Sequence, residues 1–436
     1  MSRRATSTID GRGGRDVATT RWIRCATLVT GLDEPPQHDM AIEVVGERIG
    51  RVAPWAAIAG SVDAPVVDAS ADTVVPGFVD AHVHLLFTCD ADHTVTRAAV
   101  EAGTHAELAL TGARSAAECL LGGVTTVRDC GDRDLLTLTL RDAINNGVAA
   151  GPRILAAGPP VTVTGGHLYW CGNTADSPDE VRRVTRRLCA AGVDVVKVMA
   201  SGGNMTHGSN PRLPQYSEAE LAVVVDEAHR LGRRVAAHAL NTESIRRAVA
   251  AGVDTVEHCG WRGVDGAEDV AADVVAEMAR RGTWAVVTFA GINRLLLPEY
   301  AGDDSPERAA ALSMSNHEDL ARDFAWVRTL REAGVPVAVA SDAGVRFTPF
   351  RRFDESVHCG IDALGIDAAE VISLATWRAA QALGIADEVG SLATGMRADL
   401  VVLSGKLTGA TKRLGPIRQV WRDGRVVVDD GRIMLH

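Results

Sequence analysis

The most reactive side chains in this sequence are imidazoles. Val74–Leu85 reads VVPGFVDAHVHL, an apolar run followed by His82 and His84 with one residue between them. In an extended strand, side chains two apart leave the same face, so both rings point to one side. Neutral imidazole is the commonest metal ligand, and two on one face make half a site. Two histidines so spaced also suit an ordinary half-exposed strand. What favours the metal reading is the supply downstream: Lys197 within VDVVKVM, His238 in RVAAHAL, His258 after TVE, and Asp342 closing VPVAVASD.

Lys197 carries the most information. Lysine is scarce, with Lys406 and Lys412 the only others. An ammonium in an apolar strand is costly unless paired or chemically altered. Desolvation favours the neutral amine, and a neutral amine can add carbon dioxide to give a carbamate able to bridge two metals. A lysine paired with a buried carboxylate, or snorkelling outward, fits equally well on this residue alone. The neighbouring histidines tip the balance to the carbamate. His238 and His258 each also read as hydrogen-bonded core residues, and Asp342, beside Ser341, also reads as a helix N-cap. We prefer Asp342 as metal ligand and general base, because it closes the last strand of its series.

These residues need a scaffold that brings strand ends together. Short β-rich runs alternate with helical segments: Val124–Asp129, Arg153–Ala157, Val193–Met199, Arg234–Leu240, Thr255–His258, Trp284–Phe289 and Val335–Asp342 are strand-like. With the His82 strand they number eight. Helical periodicity marks Pro178–Ala191, Ser217–Leu231, Thr242–Ala251 and Val270–Arg281, and Ser217 to Glu220 spells a capping box. Eight buried strands with helices between them predict an α/β fold, a (β/α)8 TIM barrel over residues 74–387. Such barrels collect their chemistry at the carboxyl ends of the strands. Trp22–Thr30, Ala41–Val45 and Arg48–Val52, with Gly390–Leu403 and Ile417–Val428, predict a small β-sandwich domain from residues 17–73 and 388–436. Residues 1–16 read as a disordered tail.

A net charge of −11 disfavours nucleic acid and acidic membranes as partners. No apolar run reaches membrane-spanning length, and the opening residues lack the apolar core of a leader. The eight cysteines show no C-x-x-C pair, which suits reduced thiols and a cytoplasmic location. The partner expected is a small-molecule amide, with homo-oligomerisation left open. The arginine cluster Arg182, Arg183, Arg186 and Arg187 reads as a solvated helix face.

The set Pro76-Gly77-Phe78-Val79-Asp80-Ala81-His82-Val83-His84, Lys197, His238-Ala239, Glu257-His258 and Ser341-Asp342-Ala343-Gly344 resembles the amidohydrolase superfamily. The likeness runs from about residue 20 and includes Gly390 to Leu400, similar to the family's returning β-domain. It implies two divalent ions, zinc by type. His82, His84 and Asp342 would hold the more buried ion, His238 and His258 the more exposed one, and carbamylated Lys197 would bridge both. It further implies a hydroxide shared between metals about 3.5–4 Å apart, with Asp342 as general acid and base. Thr164-Gly165-Gly166-His167 and Lys197-Val198-Met199-Ala200-Ser201-Gly202-Gly203 look like the prolidase, carboxypeptidase and ochratoxinase branch, where the histidine of the Gly-Gly-His turn contacts substrate; that role carries to His167. Dipeptide-cleaving relatives often have a tyrosine two residues after the strand-five histidine, where this chain has Leu240. A free α-carboxylate would then need other contacts, for which Tyr216, Arg212, Trp261, Arg262 and Arg346 are candidates.

The leading expectation is therefore hydrolysis of a dipeptide, N-acyl amino acid or related carboxamide. A cyclic amide or amidine hydrolase, as in imidazolonepropionase-like or deaminase relatives, would use one metal and no bridging lysine. Ester or lactone hydrolysis uses the same attack. A non-catalytic barrel would have lost ligands, and all six are present.

Overall fold

The computed structural model describes residues 20–314 and 320–434, so the expected tail 1–16 lies outside the described residues. Four strands open the chain: β1 (Thr20–Leu28), β2 (Gln37–Val45), β3 (Arg48–Pro54) and β4 (Val66–Pro76). Eight more follow: β5 (Phe78–Val83), β6 (Val124–Asp129), β7 (Arg153–Ala156), β8 (Val195–Met199), β9 (Arg234–His238), β10 (Thr255–Glu257), β11 (Trp284–Thr288) and β12 (Val337–Ala340). Then come β13 (Leu400–Leu403), β14 (Ile417–Arg422), β15 (Arg425–Asp429) and β16 (Arg432–Ile433).

The first four and last four strands join in one sheet of order β16-β15-β14-β13-β4-β1-β2-β3. The two ends of the chain meet where β13 runs antiparallel to β4, Leu400 opposite Pro76. A sandwich of two sheets was expected; hydrogen bonding instead runs through a single sheet. Period-two alternation decides what each face buries. Ile23 and Cys25 of β1 pack with Met40, Ile42, Leu400, Val402 and Trp421, while Trp22 turns the other way onto Ala41, Ala53 and Ile58.

The stretch Val74–Leu85 is not one strand. Its first part is the end of β4, in the terminal sheet, and its second part is β5. Gly77 makes the switch: a Cβ there would collide with Thr125 Oγ1, so only a bare backbone passes so close to β6. The expected boundary at residue 74 therefore falls inside a strand that continues to Pro76.

β5-β6-β7 form one parallel sheet and β8-β9-β10-β11-β12 another. Every residue of β5, β6 and β8 is buried, the mark of parallel strands covered on both faces. At one junction Val161 donates to Lys197 O at 2.8 Å and accepts from Met199 at 2.9 Å. At the other, Asp342 donates to His82 O at 2.9 Å and His84 to Ala343 O at 2.8 Å. The helices between strands follow their capping chemistry. Glu218–Arg230 opens on Ser217, whose hydroxyl accepts from Glu220 while the Glu220 side chain accepts from the Ser217 backbone. Pro178–Ala191 opens on Ser217's counterpart Ser177 with proline in the first turn. Among the described residues, no helix is long and apolar enough to cross a membrane.

Candidate metal centre

The six side chains picked out by type all line one cavity of about 210 Å3: His82, His84, Lys197, His238, His258 and Asp342. His82 and His84 flank the end of β5, His238 ends β9, His258 follows β10, Asp342 lies just past β12, and Lys197 is the middle residue of β8. His82 Nε2 and His84 Nε2 lie 3.5 and 3.6 Å from Asp342 Oδ1, and the ligand atoms of these three lie within 4.8 Å of one another. The His258 ring centroid is 4.8 Å from both His82 and His238. His258 and Asp342 each take φ of 63°, a left-handed conformation that non-glycine residues adopt at a cost and that clusters at functional sites.

The hydrogen bonds fix which ring nitrogens face the cavity. His82 Nδ1 is 2.8 Å from Glu257 Oε2, and His84 Nδ1 is 3.2 Å from the Gly131 carbonyl. As donors there, both rings turn an Nε2 lone pair toward Asp342. His258 Nδ1 meets Thr288 Oγ1 at 3.0 Å, freeing Nε2. His238 is reversed: Nε2 meets the Gly202 carbonyl at 3.1 Å, leaving Nδ1. Behind His82, the other Glu257 oxygen accepts from Arg128 at 2.6 Å, while Arg128 also donates to Ala81 O and Thr255 Oγ1. Asp80 accepts from the backbone and hydroxyl of Ser341, tying β5 to the turn that carries Asp342. Asp80, Arg128 and Glu257 were absent from the expected site. Their signal was a charged residue inside a buried apolar strand.

Electrostatics favour ligand-ready forms. Burial pushes the His82 imidazole well below its ordinary pKa, with the Lys197 charge adding to it. Burial lowers His84 to about 3 and lowers His238 and His258 strongly as well. All four are neutral at neutral pH, the state that binds cations. Burial raises the Asp342 carboxyl to about 8, opposed by Lys197; a bound cation would reverse that direction. Four buried atoms of residues lining the cavity have no hydrogen-bond partner among the described residues: Lys197 Nζ, Asp342 Oδ1, His93 Nδ1 and His167 Nδ1. Neutral imidazoles, a carboxylate and an uncompensated amine nitrogen around one cavity are a donor set suited to divalent cations.

The expected substrate contacts separate. His167 lines the cavity with its ring centroid 4.5 Å from that of His238. Its backbone is held by Gln215 Oε1 at 2.7 Å, and a Cβ at Gly203 would stand 2.5 Å from its ring. Arg346 lines the cavity too. Tyr216, Arg212 and Trp261 are not among the described residues lining it. The Tyr216 hydroxyl donates to Ala175 O at 2.8 Å inside the core, Trp261 is buried, and Arg212 and Arg262 are exposed. His93, which sequence reasoning missed inside a polar run, lines the cavity instead.

This fold and this set of imidazoles, amine and carboxylate around one cavity define a class. The chain matches the amidohydrolase family over residues 73–428, and it belongs to that family. Membership supports a hydrolase acting on carbon–nitrogen bonds, in a family that generally uses divalent metals. Among particular proteins, it is similar to the ochratoxinase of Aspergillus niger, 28% identical over 391 residues, covering 82% of this chain and 76% of that one. It is also similar to the imidazolonepropionase of Symbiobacterium thermophilum, 26% identical over 408 residues and 85% of each chain. The solved structure of a Xaa-Pro dipeptidase with bound methionine in its active site superposes with a TM-score of 0.77 at 27% identity, over 94% of this chain and 99% of that one. These likenesses put the chain in the prolidase and ochratoxinase branch of the superfamily.

Proposed function

We propose that this protein hydrolyses a small carboxamide, a dipeptide or N-acyl amino acid, with two divalent ions at the carboxyl mouth of a closed (β/α)8 barrel. The terminal sheet serves as its second domain. The observation that carries the reading is the Lys197 ammonium position: 1% exposed, without a hydrogen-bond partner, and sharing one cavity with four neutral imidazoles and Asp342. A bare buried cation there is costly, whereas an anionic carbamate facing two cations is not.

In this reading His82, His84 and Asp342 would hold one ion and His238 and His258 the other, with Lys197, as a carbamate, supplying an anionic ligand, and zinc would fit the N/O donor set. When bound, the ions supply a Lewis acid for the amide carbonyl and lower the pKa of a water. Asp342 takes the proton of the attacking water on a carboxylate oxygen and passes it to the departing amine nitrogen. His167 orients the substrate beside His238. Leu168, Met199, Met205 and Leu240 line the same cavity and keep bulk water from the reacting carbonyl. The eight free cysteines support a reducing, cytoplasmic setting.

The test is metal analysis and hydrolysis of a dipeptide and N-acyl amino acid library by wild type and Lys197→Ala. Two ions per wild-type chain, with both occupancy and activity lost in the variant, is the expected result. Full occupancy and unimpaired hydrolysis in Lys197→Ala would sink it. One ion per wild-type chain would turn the reading to cyclic amides or amidines, the chemistry the similarity to imidazolonepropionase suggests.

A further inference from the structure

We propose that Asp129 is the positioning residue for His84: it selects the tautomer and the flip state of that imidazole through a backbone relay. It thereby sets the affinity of the ion that His82, His84 and Asp342 would hold. The inference rests on the two-ion reading above and adds to it a residue that acts only through another.

Asp129 is the last residue of β6, opposite Val83 of β5. Its side chain is sealed from solvent and is not among the described residues lining the cavity. Among the described residues it takes two backbone amides and forms no ion pair. Oδ2 accepts from the Leu85 amide at 2.8 Å, and Oδ1 accepts from the Gly131 amide at 3.2 Å. Leu85 directly follows His84, and the Gly131 carbonyl lies 3.2 Å from His84 Nδ1. One carboxylate therefore grips His84 from two sides, through the peptide bond that leaves it and through the residue that receives its ring. A turn that had only to satisfy two amides would do so at lower cost with a neutral acceptor.

The surroundings of the ring show why that grip matters. Phe87 stacks on it, centroids 4.5 Å apart and planes 6° from parallel. A Cβ at Gly131 would stand 3.4 Å from the ring's Cε1 and Nδ1, so backbone lies flush against the imidazole. Stacking sets the plane, yet a stacked ring can still turn over about its Cβ–Cγ bond without leaving that plane. The Gly131 carbonyl decides between the two states, because Nδ1–H donates to it and a ring C–H does not. With Nδ1 as donor, the Nε2 lone pair faces Asp342, whose Oδ1 is 3.6 Å away. Glu257 orients His82 by direct contact; Asp129 does the same for His84 one peptide removed.

The experiment uses the full chain as wild type, Asp129→Asn, His84→Ala and the double variant. Asp129→Asn keeps the size of the side chain and one acceptor. In competition with a chromophoric chelator it should weaken one of the two zinc ions roughly tenfold, with the other within about twofold of wild type. In the His84→Ala background, Asp129→Asn should change zinc affinity by less than about twofold, since the residue it acts through is gone. The metal-free readout is the ring nitrogen spectrum of protein labelled with 15N-histidine, with His84 assigned by its loss in His84→Ala. Wild type should show His84 protonated at Nδ1, and Asp129→Asn should show a mixture of tautomers. If wild type binds fewer than two ions, the two-ion reading fails and the tautomer alone decides this proposal. An Nε2–H tautomer in metal-free wild type would overturn it, and that measurement needs no variant to fold. An unchanged tautomer in Asp129→Asn, an equal loss at both ions, or the same loss in the His84→Ala background would overturn it as well.

Discussion

His82 Nδ1 lies 2.8 Å from Glu257 Oε2, both side chains essentially sealed from solvent. The carboxylate holds the ring with its Nδ1 proton inward and its Nε2 lone pair toward the cavity, and Arg128 fixes the carboxylate from behind at 2.6 Å. Outer partners of this kind tune affinity by orienting the ligand and raising its basicity. Glu257→Gln keeps the shape but removes the charge. Metal affinity should fall roughly 10–100-fold, read by competition with a chelator, and unchanged affinity would show that Glu257 serves Arg128 alone. The melting temperature should also drop, because Arg128 is left without its buried counter-charge.

Gly344 follows Asp342 by two residues at φ 105°, and a Cβ there would run into the carbonyl oxygen of His84. Gly344→Ala should therefore cost roughly 2–4 kcal/mol, from backbone strain and a clash that has no soft side to yield. It should also displace Asp342 and depress kcat. Gly165→Ala is the control: its φ is 69° but nothing stands within 4 Å, so about 1 kcal/mol is expected. Equal melting temperatures for the two variants would refute the steric argument.

What sequence alone could reveal followed the range of the interactions involved. Helices announced themselves through neighbours three residues apart, as Ser217 and Glu220 do. The six side chains picked out by type that line the cavity were legible because each stands in or beside an apolar run. β4 was missed because Asp68, Ser70 and Asp72 give its middle the composition of a turn, and the change of sheet rests on Gly77 alone. The Arg128–Glu257 pair joins residues 129 apart, so no local pattern could announce it. Tyr216 looked like a loop residue offering a phenol, yet tertiary packing spent that hydroxyl on Ala175 O. His93 lay in a polar run that reads as a loop, and only the folded chain brings it to the cavity.

Lys197 bears on stability as well as chemistry. With Nζ buried and unpartnered, Lys197→Met in metal-free protein should raise stability by roughly 1–3 kcal/mol, since an unpaired buried charge gives way to an apolar chain of similar length. With saturating zinc the order should invert, because wild type gains binding energy that the variant cannot. Thermal melts of both proteins with and without metal test this. A variant less stable in the metal-free state would mean that the ammonium contributes favourably where no partner is evident.

Asp132 offers a pH signature separate from the cavity imidazoles. Burial raises its carboxyl from 3.8 to about 6, against the donors of Thr137 at 2.7 and 2.6 Å, and its Oδ1 has no partner. A folded-state pKa above the unfolded one means that the folded chain binds the proton more tightly. The stabilising contribution is complete below about pH 3.8 and is lost as pH rises through 6. Asp132→Asn keeps an acceptor for Thr137 without titrating. The melting temperature of the variant relative to wild type should thus climb between pH 4 and pH 7, by the equivalent of roughly 3 kcal/mol at most. A difference that stays flat or falls across that window would mean that Asp132 is ionised in the folded protein throughout, its burial offset by the hydroxyl and amide of Thr137.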